Sequence, residues 1–186
     1  MEVTAKKVSL YLLRRGFVQE DQLDWCCYLL EKNILRCVSF LVLFLVGARL
    51  FSPIQTVLFL FSLSFLRSRT NGYHAKSFCH CLMSSITCEV VCLAGCRLFN
   101  EVSSLFFLAA ASIVILKLAP VNNSNIHFDD FEMKRLKVQV KQRLLILSII
   151  SLFLVLTIPS YAFCVVSAVC LTALLLSVSH LGFGIQ

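Results

Sequence analysis

The stretch Tyr161-AFCVVSAVCLTALLLSVSH-Leu181 runs for 21 residues without an Asp, Glu, Lys or Arg. A helix needs about 20 predominantly apolar residues to cross a bilayer, so this stretch reads as one crossing. Five further apolar segments lie upstream, at 34–50, 53–66, 78–98, 102–119 and 144–158. Segments 53–66 and 144–158 are short for a crossing, so their flanks must contribute or the bilayer must thin locally. Four crossings result if both are re-entrant; the expectation is six.

Composition points the same way. The 186 residues are 59% hydrophobic and 15% charged, with a mean hydropathy of +0.86, against about 45–50% apolar and about 25% charged in soluble domains. A chain this size exposes too much surface to hide that excess in one core. Only six Gly and three Pro exclude collagen-like and Pro/Gly-rich structure. The expected fold class is all-α: a polytopic membrane protein of six transmembrane helices preceded by amphipathic interfacial helices. Most of the ten Cys (Cys37, Cys88, Cys92, Cys96, Cys164, Cys170) lie in apolar runs, where a thiol behaves as a small hydrophobe, so disulfides are not expected.

Residues 1–33 form two amphipathic stretches, too polar to span. The first holds Val8, Leu12 and Leu13 and is broken at Gly16; the second opens at Gln19-Glu20-Asp21 and puts Trp25 and Tyr28 at headgroup level. They are mixed in polarity, unlike a cleavable signal peptide. The expected organisation is 1–33 as cytoplasmic or interfacial helices and 34–186 as the six-helix domain, with connections 67–77 and 120–143 on the same side as both termini. That side holds fifteen of the 17 Lys and Arg, and the other holds only Arg49 and Arg97. Both termini and both connections are therefore expected in the cytoplasm. Charge spread over membrane flanks suits anionic lipid and argues against nucleic acid as a partner.

The unusual chemistry lies in Arg67-SRTNGYHAKSFCH-Cys81. It brings a Gly, a His and several Cys to a membrane edge. A thiolate is the nucleophile of cysteine chemistry, and an imidazole or a helix N-terminus favours it. On one continuous helix His74 and Cys81 would share a face but lie about 10.5 Å apart along the axis, too far to hydrogen-bond. The reading is therefore a loop, loosened at Asn71-Gly72, that folds His74 back over a helix starting near Ser77. With Ser77 as N-cap, Cys81 falls in the first turn and a half; Cys79 and His80 are rivals. A metal site from His74, Cys79, His80 and Cys81 is not expected, because three consecutive residues diverge on a helix. No cofactor is expected.

These residues resemble the signature of AgrB, the accessory gene regulator B proteins of Gram-positive quorum sensing. The resemblance rests on Arg67, Asn71-Gly-Tyr-His-Ala-Lys-Ser77 and Cys81, on Ala119-Pro-Val-Asn-Asn123, and on the basic run Lys134-Arg-Leu-Lys137. It covers nearly the whole chain. It implies a bacterial plasma-membrane cysteine endopeptidase that cleaves an AgrD-like propeptide and cyclises the product to a thiolactone or lactone. It also implies Cys81 as nucleophile and His74 as general base and later acid, and it matches Arg67 and Gly72 to the family's Arg and Gly. Arg67, Arg69 or backbone N–H groups near the start of the third span are candidates to stabilise the oxyanion.

Residues 120–143 read as a turn-rich hinge followed by a basic amphipathic helix. Asp129, Asp130 and Glu132 precede Lys134, Arg135, Lys137, Lys141 and Arg143, the polarity a helix dipole favours. Lys134, Arg135 and Lys137 are candidates to hold an acidic part of the substrate by charge. Glu89, an ionisable group inside a span, is a functional candidate by default; a hydrogen bond between helices is its plainer role. The small residues 109–111 are compatible with a homodimer. The competing readings are a small peptide exporter without peptidase activity and a purely structural membrane protein; in both, Cys81 would be dispensable.

Overall fold

The computed structural model describes residues 2–70, 78–95, 100–121 and 129–182. Among them every regular element is helical: α1 (Glu2–Arg14), a 3-10 turn (Glu20–Gln22), α2 (Leu23–Leu50), α3 (Pro53–Thr70), α4 (Phe78–Gly95), α5 (Glu101–Leu118), α6 (Asp130–Thr157) and α7 (Pro159–His180). The chain divides into two compact units, 1–45 and 46–186.

In the first unit, Gly16 ends the opening helix. Its φ of +75° lets Gly16 N–H reach Leu13 O at 2.9 Å and Phe17 N–H reach Leu12 O at 3.0 Å, the paired closure that a left-handed residue permits. Ser9 Oγ and Cys27 Sγ lie 2.7 Å apart, tying α1 to α2. Trp25 and Tyr28 are exposed, and Lys32 sits 5.7 Å from the centre of the Tyr28 ring.

α2 does not stop at residue 33. The amphipathic stretch and the first apolar segment form one helix, because no Gly or Pro occurs between Phe17 and Val46 to break it. The basic helix of the second connection and the apolar segment 144–158 merge in the same way into α6, 28 residues long. The start of α6 is fixed locally: Asp129 N–H donates to Glu132 Oε2 at 3.3 Å, and acidic residues fill its first turn.

The second unit is built around α7, which packs against α3, α4, α5 and α6. Its face residues Val165, Val166, Val169, Ala173 and Leu176 join Leu66 of α3, Leu108, Ala111 and Ile115 of α5, and Val140, Leu144 and Leu147 of α6 in one core. A central helix suits this sequence, since its many Ala, Ser, Cys and Thr residues let neighbouring backbones approach. Cys170 Sγ donates to Phe107 O at 3.7 Å, linking α7 to α5.

Among the described residues four helical stretches are long and apolar enough to cross a membrane: Glu20–Leu50, Phe78–Gly95, Asp130–Thr157 and Pro159–His180. The molecule is thus a multi-pass membrane protein. Outside that set lie α1, α3, whose Gln55, Thr56, Ser62, Ser64 and paired Arg lower its hydropathy, and the shorter apolar stretch Val102–Leu118 of α5. Segment 144–158, short when taken alone, becomes one of the four by continuing the basic helix.

Candidate functional site

The C-terminal end of α3 and the N-terminal parts of α4 and α6 carry most of the described residues that the sequence singled out. Phe78 is the first described residue of α4; three residues on, Cys81 is half-buried, while Cys79 and His80 are exposed. Arg67, in the last turn of α3, is half-buried and close enough to interact electrostatically with the thiols of both Cys81 and Cys88. Cys81 and Cys88 are seven residues apart, two helical turns, and therefore share the face that Arg67 meets.

Arg69 takes the opposite course. Two residues on, roughly 200° round the helix, it turns to α6, where it lines a cleft of about 310 Å³ with Glu132, Arg135, Leu136 and Gln139. Gln139 Oε1 is buried there without a hydrogen-bond partner among the described residues. Arg69 is also near enough to Arg143 for their like charges to repel. Lys134, Arg135 and Lys137 are all exposed, and of the three Arg135 lines the cleft.

Two interactions hold this end together, and neither was evident from the sequence. Arg143 Nη1 donates to Phe65 O and to Ser68 Oγ, and its guanidinium lies over the Phe65 ring, 4.5 Å from the centroid. α6 is thereby clamped to the last turns of α3. The backbone N–H of Val121 donates to Thr70 O at 3.2 Å. That bond joins the residue before the Asn71–Ser77 motif to the residue after Ala119-Pro120. His74, Gly72 and Ser77 themselves fall in 71–77, and the turn-rich Asn122–Asn125 in 122–128, all outside the described residues. Among the described residues no three His, Cys, Asp or Glu side chains gather as metal ligands do.

Glu89 lies away from this end. Its side chain is 1% exposed, and neither carboxyl oxygen has a hydrogen-bond partner among the described residues. Gly47 and Thr56 close over it: a Cβ placed on Gly47 would sit 2.6 Å from Glu89 Oε1 and 2.5 Å from Thr56 Cγ2.

A family model, Accessory gene regulator B, matches residues 5–179. The chain belongs to the AgrB family. Searches of curated proteins and of solved structures returned no match. Membership places the chain among quorum-sensing, propeptide-processing membrane proteins and brings an AgrD-like propeptide and the membrane as its partners. The matched region includes α1 through nearly all of α7, so the AgrB assignment covers both compact units and both motif segments.

Proposed function

We propose that this AgrB-family protein is a membrane-embedded cysteine endopeptidase that cleaves an AgrD-like propeptide and cyclises the product into an autoinducing peptide. The observation that carries the reading is the placement of Cys81: half-buried on α4, beside Arg67. His74 is four residues from Thr70 and four from Phe78. Covalent geometry therefore keeps it within about 14 Å of both helix ends, a range that includes contact with Cys81.

In this mechanism Cys81 Sγ attacks the carbonyl carbon of the scissile bond while His74 takes the thiol proton. The C–N bond breaks, and the amine leaves with that proton. The retained peptide stays on Cys81 as a thioester. A Cys thiol or Ser hydroxyl within the peptide then attacks the thioester carbonyl. Its proton passes through His74 to the departing Cys81 sulfur, and the ring closes as a thiolactone or lactone. Arg67 supplies positive charge where the oxyanion forms, and Gly72 and Ser77 shape the segment that carries His74. Water must be kept from the thioester, which suits a half-buried thiol at a membrane edge.

The same proposal includes six crossings, with α3 and α5 added to the four long apolar helices, and cytoplasmic termini, supported by the fifteen-to-two division of Lys and Arg. The exporter reading gains nothing from Glu89, its best sequence feature, because that carboxyl is packed under Gly47 and Thr56.

The test is intact-mass spectrometry of a candidate propeptide incubated with the protein in liposomes. Wild type and Cys79→Ala should release the C-terminal fragment, and the core product should be one water lighter than the linear acid. Cys81→Ala and His74→Ala should leave the propeptide intact. Cleavage by Cys81→Ala would overturn the mechanism.

A further inference from the structure

We propose that Glu89 is a proton-binding site within the membrane domain: its carboxyl is held as the neutral acid and gives its O–H to Thr56 Oγ1. The inference is independent of the peptidase reading, which uses neither residue.

Glu89 stands eight residues beyond Cys81 on α4, about 12 Å along the helix axis. Its side chain is 1% exposed, and neither carboxyl oxygen meets a hydrogen-bond donor among the described residues. A carboxylate without partners is among the costliest groups to bury, so such a group takes either a counter-ion or a proton. The surroundings offer no counter-ion. α4 packs against α3 and α7, and the last turn of α2 closes over Glu89 through Gly47. On α2, Arg49 is exposed. On α3, Arg67 acts on Cys81 and Cys88, and Arg69 lines the cleft with α6. α4 itself adds Cys88 and Cys92, and α7 adds Tyr161, Cys164, Cys170 and His180. None of these donates a hydrogen bond to Glu89.

Thr56 decides for the proton. A Cβ built on Gly47 would lie 2.6 Å from Glu89 Oε1 and 2.9 Å from Thr56 Oγ1, so the two oxygens face each other across a glycine. Thr56 Oγ1 already donates its own proton to Ser52 O at 3.0 Å. Toward Glu89 it therefore offers only lone pairs. A carboxylate would set acceptor against acceptor, whereas a carboxylic acid supplies the missing proton and satisfies both oxygens. A metal cation would need several more oxygen ligands, and among the described residues no three His, Cys, Asp or Glu gather to provide them.

Gly47 is three residues from the end of α2, and Thr56 is three residues from the start of α3. With the cytoplasmic termini proposed above, this corner is on the outer side, opposite Cys81, and exchanges its proton with the outer solution. Opened to water, a glutamate ionises near pH 4.3. The packed corner thus keeps a proton that the opened one releases at neutral pH. Its stability falls as pH rises, by up to about tenfold in the packed-to-open ratio per pH unit.

The test uses the full-length protein in phosphatidylcholine nanodiscs. At pH 7 its infrared spectrum should contain the C=O stretch of a protonated carboxyl. The band should shift when glutamate carboxyls are labelled with carbon-13, and it should be missing from Glu89→Gln. Should that variant fail to fold, the labelled wild-type band decides, since Glu89 is the buried acid among the described residues. Thr56→Val keeps the shape but loses the acceptor, and should move the band to higher frequency. Raising the pH should lower the Tm of wild type more than that of Glu89→Gln, whose amide cannot ionise.

Carboxylate bands alone at pH 7 would overturn the proposal, and a Tm raised by sodium chloride but not by choline chloride would then make Glu89 a cation site. Parallel pH profiles in wild type and Glu89→Gln would overturn it as well. An unmoved band in Thr56→Val would remove Thr56 as the acceptor.

Discussion

The backbone N–H of Val121 donates to the carbonyl of Thr70 at 3.2 Å. These residues are 51 positions apart: Thr70 immediately precedes the Asn71–Ser77 run of the family signature, and Val121 lies within the Ala119–Asn123 run. Thr70 is fully buried, and Pro120, next to Val121, is buried. The bond fixes where the His74 segment leaves α3 relative to where the Ala119-Pro120 segment turns toward α6.

Replacing Val121 with Pro removes that donor and leaves a buried carbonyl with one partner fewer, a loss of about 1–3 kcal/mol. Propeptide cleavage should fall at least tenfold, with insertion into the membrane retained. Val121→Ala keeps the N–H and should process nearly as well as wild type. Equal activity of the Pro and Ala variants would show that the bond does not organise the site.

Arg143 is the second fastener of this end, through Phe65 O, Ser68 Oγ and the Phe65 ring. Arg143→Gln loses the charge, the stacking and at least one hydrogen bond. With the side chain half-exposed, a destabilisation of about 1–2 kcal/mol is expected. Thermal unfolding in nanodiscs should show it as a lowered Tm. Arg143→Lys should fall between, since an ammonium cannot reproduce the planar stacking. A Lys variant as stable as wild type would mean that charge alone matters there.

Gly47 is predicted to tolerate no side chain. Its Cβ would press on Thr56 Cγ2 and Glu89 Oε1 at once, and packed interiors resist such insertions at a cost of about 1–3 kcal/mol. Gly47→Ala should lower Tm, and adding Thr56→Ser, which deletes Cγ2, should restore part of the loss. No rescue in the double variant would place the strain on Glu89 instead.

Arg67 is expected to act on the chemical step. Removal of one oxyanion donor typically costs about 10²–10³ in kcat, so Arg67→Gln should lower kcat by that order with KM little changed. Arg67→Lys should recover part of it. A KM effect alone would reassign Arg67 to substrate binding.

The apolar runs made the helices readable, because each of the six apolar segments falls mostly on a helix among the described residues. The joins were less so. Glu31, Lys32 and Asn33 mark a change of polarity, not of backbone conformation, so the boundary expected at residue 33 falls inside the single helix α2. Which helix is central was not readable either: most spans are apolar on all sides, so periodicity gives no inward face, whereas the small residues of α7 carry that information. At the site, Arg67 and Cys81 were found from their motif. Arg69 was grouped with Arg67 by proximity in sequence, but a helix sends residues two apart to different faces. Gln139 carried no signal at all, since an uncharged amide in a basic helix looks like any solvated residue until the fold buries its oxygen.

The central claim is that Cys81 carries the peptide as a thioester. A propeptide whose ring-closing Cys or Ser is replaced by Ala cannot resolve that intermediate by cyclisation. Incubating it with wild-type protein, quenching in acid and measuring the intact protein should give a mass increase equal to the N-terminal product less one water. Digestion should then locate the adduct on the peptide containing Cys81, and hydroxylamine should remove it. An adduct on Cys79, or cleavage with no adduct on any cysteine, would contradict the account.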